Sequence, residues 1–76
     1  MSKTPEHQQK RLDYIASFLR NYRLNCGLRQ KDLSNSSLSH RTVLRAEAAK
    51  NISMLKLFEI LDSLDLEPKQ LFEDVD

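Results

Sequence analysis

Apolar residues recur at every third or fourth position along most of this chain, and nowhere do they alternate with polar ones. Leu12, Ile15, Leu19 and Tyr22 form such a stripe. A period near 3.6 turns one face of a helix toward a core, whereas a strand needs a period of two. The fold class expected is therefore all-α, a compact bundle of five helices with short connections. With 76 residues, a single domain spanning the whole chain is expected. A chain of this size buries only ~60% of its unfolded surface, so its margin of stability is thin and pairing with a second copy is a common remedy.

Helix-stop and helix-start residues divide the chain. Thr4 is expected to cap the first helix, with Pro5 at the first helical position and Glu6 at the positive end of the dipole. Cys26 and Gly27 end it, and Gly27 is the only glycine, expected at positive φ. A second short helix is expected from about Gln30 to Asn35, anchored by Leu28 and Leu33. The cluster "SNSS", Ser34 to Ser37, is turn chemistry. Ser39 caps a third helix, His40–Ala48, and Lys50 and Asn51 form a loop. Ser53 caps a fourth, whose apolar face holds Met54, Leu57, Phe58, Ile60, Leu61 and Leu64. Asp65 ends it, Pro68 starts a last helix with Leu71 and Phe72, and Glu73 to Asp76 are expected to fray.

Composition removes several function classes. Hydrophobic residues are 39% and charged residues 30%, the balance of a folded domain rather than a disordered chain. No apolar run reaches ~18 residues, and "MSKTPEHQQK" lacks an apolar signal-peptide segment. The lone Cys26 excludes an internal disulfide and suits a reducing, cytoplasmic setting. No Cys/His spacing suits zinc, and no Ser, His and Asp set has a catalytic context. The expectation is a protein that is not an enzyme, carries no cofactor or metal and has no membrane contact.

Net charge is +1, but residues 1–50 hold ten Lys/Arg against four Asp/Glu, and residues 51–76 hold two against seven. A basic half attracts polyanions and an acidic half is repelled by them.

Two short helices joined by a tight turn raise the helix-turn-helix hypothesis. The stretches "LRNYRLNCGLRQKDL" (Leu19–Leu33), "LSHRTVLRAE" (Leu38–Glu47) and "ISMLKLFEILDSLDLEPKQLF" (Ile52–Phe72) together resemble the phage-repressor-like, Cro/CI-type or XRE, helix-turn-helix family. The resemblance covers about 12–73, leaving 1–11 as an N-terminal arm or helix extension.

That resemblance implies a lambda-repressor-like fold and binding of double-stranded DNA. It implies base contacts by His40, Arg41, Leu44 and Arg45, and a phosphate contact and a brace by Gln30. It also implies a buried pair between Arg23 and Glu47. Physical chemistry supports these roles separately. A cap at Ser39 puts His40, Arg41, Leu44 and Arg45 on one side of the helix and turns Val43 and Ala46 inward. Arginine grips guanine bidentately, and a helix N-terminus offers N–H groups to phosphate. Lys31, Ser39, Lys50 and Asn51, with Gln30, lie where backbone contacts would fix register.

The chain departs from the family pattern in three places. The turn from Leu33 to Leu38 is one residue short and lacks glycine, Arg29 replaces a Ser or Thr cap, and Ala49 replaces a glycine. Asn51 is expected to supply the left-handed residue after the third helix. Leu55, Leu61 and Leu66 are expected at a dimer interface on the acidic half. The functional expectation is a homodimeric transcriptional repressor reading a palindromic operator. The alternative is an antitoxin or protein-interaction module of the same fold with a toxin-like protein partner.

Overall fold

The structure, a computed structural model, describes residues 5–72. The expected cap at Thr4 and the fraying of residues 73–76 lie outside them. Among the described residues there are four α-helices and one 3₁₀ turn: α1 (Glu6–Asn25), the 3₁₀ turn (Gln30–Leu33), α2 (His40–Glu47), α3 (Met54–Ser63) and α4 (Pro68–Phe72). The all-helical expectation is met, but the second of the five expected helices is the 3₁₀ turn.

The longest helix sets the scale. At ~1.5 Å per residue its 20 residues rise ~30 Å, and the molecule's longest dimension is 31 Å. Pro5 stands just before α1 as its N-cap, at φ −56° and ψ 149°, rather than at the first helical position. Ala16, Leu19 and Arg23 are the buried residues of α1. The side chains of Tyr14, Phe18 and Tyr22, four apart, stack along the same helix with ring centroids 6.4 and 6.2 Å apart.

Why the second element stays a single 3₁₀ turn follows from spacing. Leu33 and Leu38 are both fully buried, and only four residues lie between them. Ser34 is already extended, at ψ 155°, so the chain can reach the core again at Leu38. Asn35 then makes the turn. Its Oδ1 accepts from the backbone N–H groups of Ser37 (2.8 Å) and Leu38 (2.9 Å), and its own N–H donates to the Leu38 carbonyl (2.8 Å). An Asx turn of this kind needs no left-handed residue, which explains how the segment manages without glycine.

Three helices end in the same way. A residue at positive φ lets two backbone N–H groups turn back onto the last carbonyls, the Schellman closure. After α1, Gly27 (φ 74°) donates to Leu24 and Leu28 donates to Arg23. After α2, Ala49 (φ 59°) donates to Ala46 and Lys50 donates to Arg45. After α3, Asp65 (φ 57°) donates to Asp62 and Leu66 donates to Leu61. The left-handed residue after α2 is thus Ala49 itself and not Asn51. The third expected helix, His40–Ala48, is one residue shorter, because Ala48 is its C-cap.

The core joins Leu19 of α1, Leu33, Leu38, Val43 and Ala46 with Leu57, Ile60, Leu61, Leu64, Leu66 and Leu71. Phe18, Tyr22, Leu28 and Ile52 close its margins. Met54 and Phe58, expected on the inner face of the fourth helix, are 58% and 40% exposed. Met54 stands in the first turn of α3 and Phe58 at the margin of its buried face, so packing leaves both partly in solvent while it covers Leu57, Ile60 and Leu61.

The Ala49 closure carries a cost that glycine lacks, because a Cβ in the left-handed region crowds the next carbonyl, by roughly 1–2 kcal/mol. Replacing Ala49 by Gly is expected to raise stability by about 1 kcal/mol, offset in part by the extra freedom of the unfolded chain. Chemical denaturation of Ala49→Gly beside wild type checks this: a higher midpoint with an unchanged slope is the expected result.

Candidate functional site

A buried guanidinium organises one side of the molecule. Arg23, in the last turn of α1, is 7% exposed. Its Nε donates to Glu47 Oε2 (2.7 Å) and its Nη2 to Glu47 Oε1 (3.0 Å), a two-pronged fork between α1 and the end of α2. The Nη1 group donates to the Leu28 carbonyl at 2.7 Å. Gln30 Nε2 donates to Glu47 Oε1 at 3.1 Å. Hydrogen bonding to Glu47 raises the Arg23 pKa further, against the opposing effect of burial. One carboxylate therefore ties α1, the 3₁₀ turn and α2 together. The expected structural pair is present, and the amide of Gln30 acts as a brace within it.

The opposite end of α2 is pinned by other contacts. Ser39 caps it, accepting from the Thr42 N–H at 3.2 Å. The Lys56 ammonium of α3 reaches the Ser37 carbonyl at 2.6 Å and Glu59 at 3.1 Å. The Ser37 hydroxyl donates to Glu59, and the Ser63 hydroxyl donates to the Leu33 carbonyl at 3.0 Å. The shortened turn is thus fixed from α3 as well as by Asn35. Before it, Asp32 accepts from the Arg29 backbone N–H at 2.7 Å and from the Arg29 guanidinium. That contact satisfies the backbone N–H ahead of the 3₁₀ turn, while the Asp32 N–H donates to the Arg29 carbonyl at 3.0 Å.

With both ends held, α2 presents a defined outer face. Val43 and Ala46 are buried, while His40, Arg41, Leu44 and Arg45 are exposed. The side chains of His40 and Arg41 have no hydrogen-bond or ionic partner among the described residues. Arg45 donates through Nη2 to the Asn51 carbonyl at 3.0 Å, and the rest of its fork is uncommitted among the described residues. Lys31, Ser39, Lys50 and Asn51 are also exposed. Sequence reasoning missed Arg20. It is exposed on α1 and lines a shallow cleft of about 280 Å³ with Gln30, Leu44, Glu47 and Ala48. Its signal was its spacing, three residues before Arg23, which puts both on one side of α1.

The expected dimer residues do not stay together. Leu61 and Leu66 are 1% and 5% exposed and belong to the chain's own core. They face inward because α3 packs Leu57, Ile60 and Leu61 against the other helices, and because Leu66 follows the Asp65 turn back into that core. Leu55 is 67% exposed, and its apolar neighbours on the surface are Met54 and Phe58. No helix among the described residues is long and apolar enough to cross a membrane.

No family model matches the chain, and no curated protein or solved structure shows significant similarity to it.

Removing Glu47 would strand the buried Arg23 charge. The expected loss for Glu47→Ala is ~3–5 kcal/mol, against less than ~1 kcal/mol for Arg45→Ala, whose one bond is at the surface. Denaturation midpoints of the two variants compare these directly. A second expectation concerns acid. Hydrogen bonds from the Arg29 backbone, then from its side chain, lower the Asp32 pKa. The Ser37 hydroxyl, then Lys56, lowers that of Glu59. A lowered carboxylate pKa gives stability that is present above the unfolded value and lost as pH falls through the folded one. Thermal midpoints should therefore drop as pH falls below about 4.5, the ordinary glutamate value, and Glu59→Gln should drop less steeply.

Proposed function

We propose that the chain binds double-stranded DNA in a sequence-specific way and acts as a small transcriptional regulator, a homodimeric repressor. The observation that carries this reading is the outer face of α2. His40 and Arg41 have no partner among the described residues, Leu44 and Arg45 lie beside them, and the helix is clamped at both ends. Clamping matters because base recognition needs side chains held in register before contact. In this reading Arg41 and Arg45 take guanine edges, His40 reads a base at the helix start, and Leu44 meets a thymine methyl group. Lys31, Lys50 and Asn51 set register on phosphates, and Arg20 joins them from α1. Gln30 combines a phosphate contact with its brace to Glu47, and Ser39 combines one with its cap.

A second reading takes support from a different surface. Met54, Leu55 and Phe58 expose three large apolar side chains on α3, which suits contact with another protein. Within the first reading that contact is the second copy, in place of the expected Leu61 and Leu66. In the alternative it is a toxin-like partner, with the chain as an antitoxin or an interaction module.

Selection from a random DNA pool tests the proposal. A two-fold-symmetric consensus is expected, with half-site centres ~34–36 Å apart. Affinity should fall with salt at a slope of about −0.9 per phosphate neutralised. Arg41→Ala with Arg45→Ala should relax the consensus and cost ~1–3 kcal/mol per lost base contact. No enrichment, with wild type and the double variant behaving alike, would falsify the reading.

A further inference from the structure

An apolar cavity of about 210 Å³, partly open to solvent, lies beside the loop from α2 to α3. Ile15 and Leu19 of α1, Ala46 of α2, and Ile52 and Leu57 supply its walls. Lys50, Asn51 and Ser53 supply its polar edge, and no acidic residue lines it. An apolar cavity of ~150 Å³ is large enough to hold benzene, so this one has room for a somewhat larger hydrocarbon.

Two features of the cavity edge favour an anion. Lys50 is exposed and has no ionic partner among the described residues. The helix α3 starts at the same edge, with Ser53 as cap and no acidic residue in its first turn. Its positive dipole end is therefore uncompensated. No acidic residue of the lining would hold a cation, and an uncharged chain would leave the Lys50 charge unused.

We propose that this cavity binds a small amphiphilic carboxylate, with a body of about six to eight carbons in the apolar space and its carboxylate beside Lys50. The site goes beyond the proposed DNA contact, and it has a built-in link to α2. Asn51 lines the cavity, and its carbonyl receives Arg45 Nη2. The same loop begins at the left-handed Ala49, whose carbonyl accepts from Gln9 Nε2 at 3.3 Å. An occupant packed against Asn51 and Ile52 holds the segment to which Arg45 is tied.

Titration of the ¹⁵N-labelled protein with sodium octanoate at fixed ionic strength tests the site without DNA. Saturable amide shifts are expected at Ile15, Ala46, Asn51 and Ile52, with a Kd in the millimolar range or tighter, as suits so small a ligand. Lys50→Glu alters an exposed side chain and should keep the wild-type thermal midpoint. It should weaken octanoate roughly fivefold, the scale of one exposed charge contact. Octylammonium chloride should bind more weakly than octanoate. Shifts that stay linear in octanoate overturn the proposal, as do shifts confined to Leu55 and Phe58. Equal binding of octylammonium and octanoate, or unchanged octanoate binding by Lys50→Glu, overturns it as well. A chain that captured no DNA would count against the proposed function and leave this test as it stands.

Discussion

The fork between Arg23 and Glu47 is the interaction on which the arrangement of this molecule depends. Two charges withdrawn from water cost several kcal/mol each, and their attraction repays this only with close geometry and further hydrogen bonds. Both conditions hold. The guanidinium meets both carboxylate oxygens, its third nitrogen donates to the Leu28 carbonyl, and Gln30 adds a third donor to Glu47. Arg23 also accepts the Leu28 N–H through its own carbonyl, at 3.1 Å. One residue thus closes α1, fixes the path of the chain out of it, and anchors the far end of α2.

The other end of α2 is held by a different device. Leu33 and Leu38 drop into the core on either side of the turn, and hydrophobic burial does not by itself specify direction. Direction comes from hydrogen bonds. Asn35 shapes the turn from within, and Lys56, Glu59 and Ser63 hold it from α3. The helix is therefore registered at its exit by α1 and at its entry by α3. In a chain whose core is this small, such polar contacts specify the orientation of an eight-residue helix that its own length could not stabilise.

Much of this was legible in the sequence because the signals were local. The caps at Ser39 and Ser53, the positive φ at Gly27 and the inward turn of Val43 and Ala46 each rest on a few adjacent residues. The illegible parts depended on distance. Nothing near Gln30 marks it for a 3₁₀ turn; that follows from Leu33 and Leu38 sharing one core. Alanine gives no local cue for a left-handed conformation, so Ala49 was passed over for Asn51, which tolerates it better. The apolar run in α3 reads as one broad face, yet packing buries Leu57, Ile60 and Leu61 and leaves Met54, Leu55 and Phe58 exposed. Which side packs is a tertiary fact, and the same fact moved Leu61 and Leu66 from the expected interface into the core. The pair of Arg23 with Glu47 spans 24 positions, and only the family resemblance drew attention to it.

The fork also decides the electrostatics of the surface. Between Asp32 and Glu59 the sequence holds a single acidic residue, Glu47. Turned outward, that carboxylate would be the one negative charge on α2 and would offset part of its positive field. Here Arg23 draws it inward, leaving its side chain only 4% exposed. His40, Arg41 and Arg45 are left on an outer face that contains no negative charge. Among the described residues, the exposed acids of the C-terminal half, Asp62, Asp65 and Glu67, belong to the end of α3 and the loop after it. The interaction that fixes the position of α2 therefore also fixes the sign of the face it presents. A substitution at Glu47 alters both together, whereas one at Arg41 alters only the second.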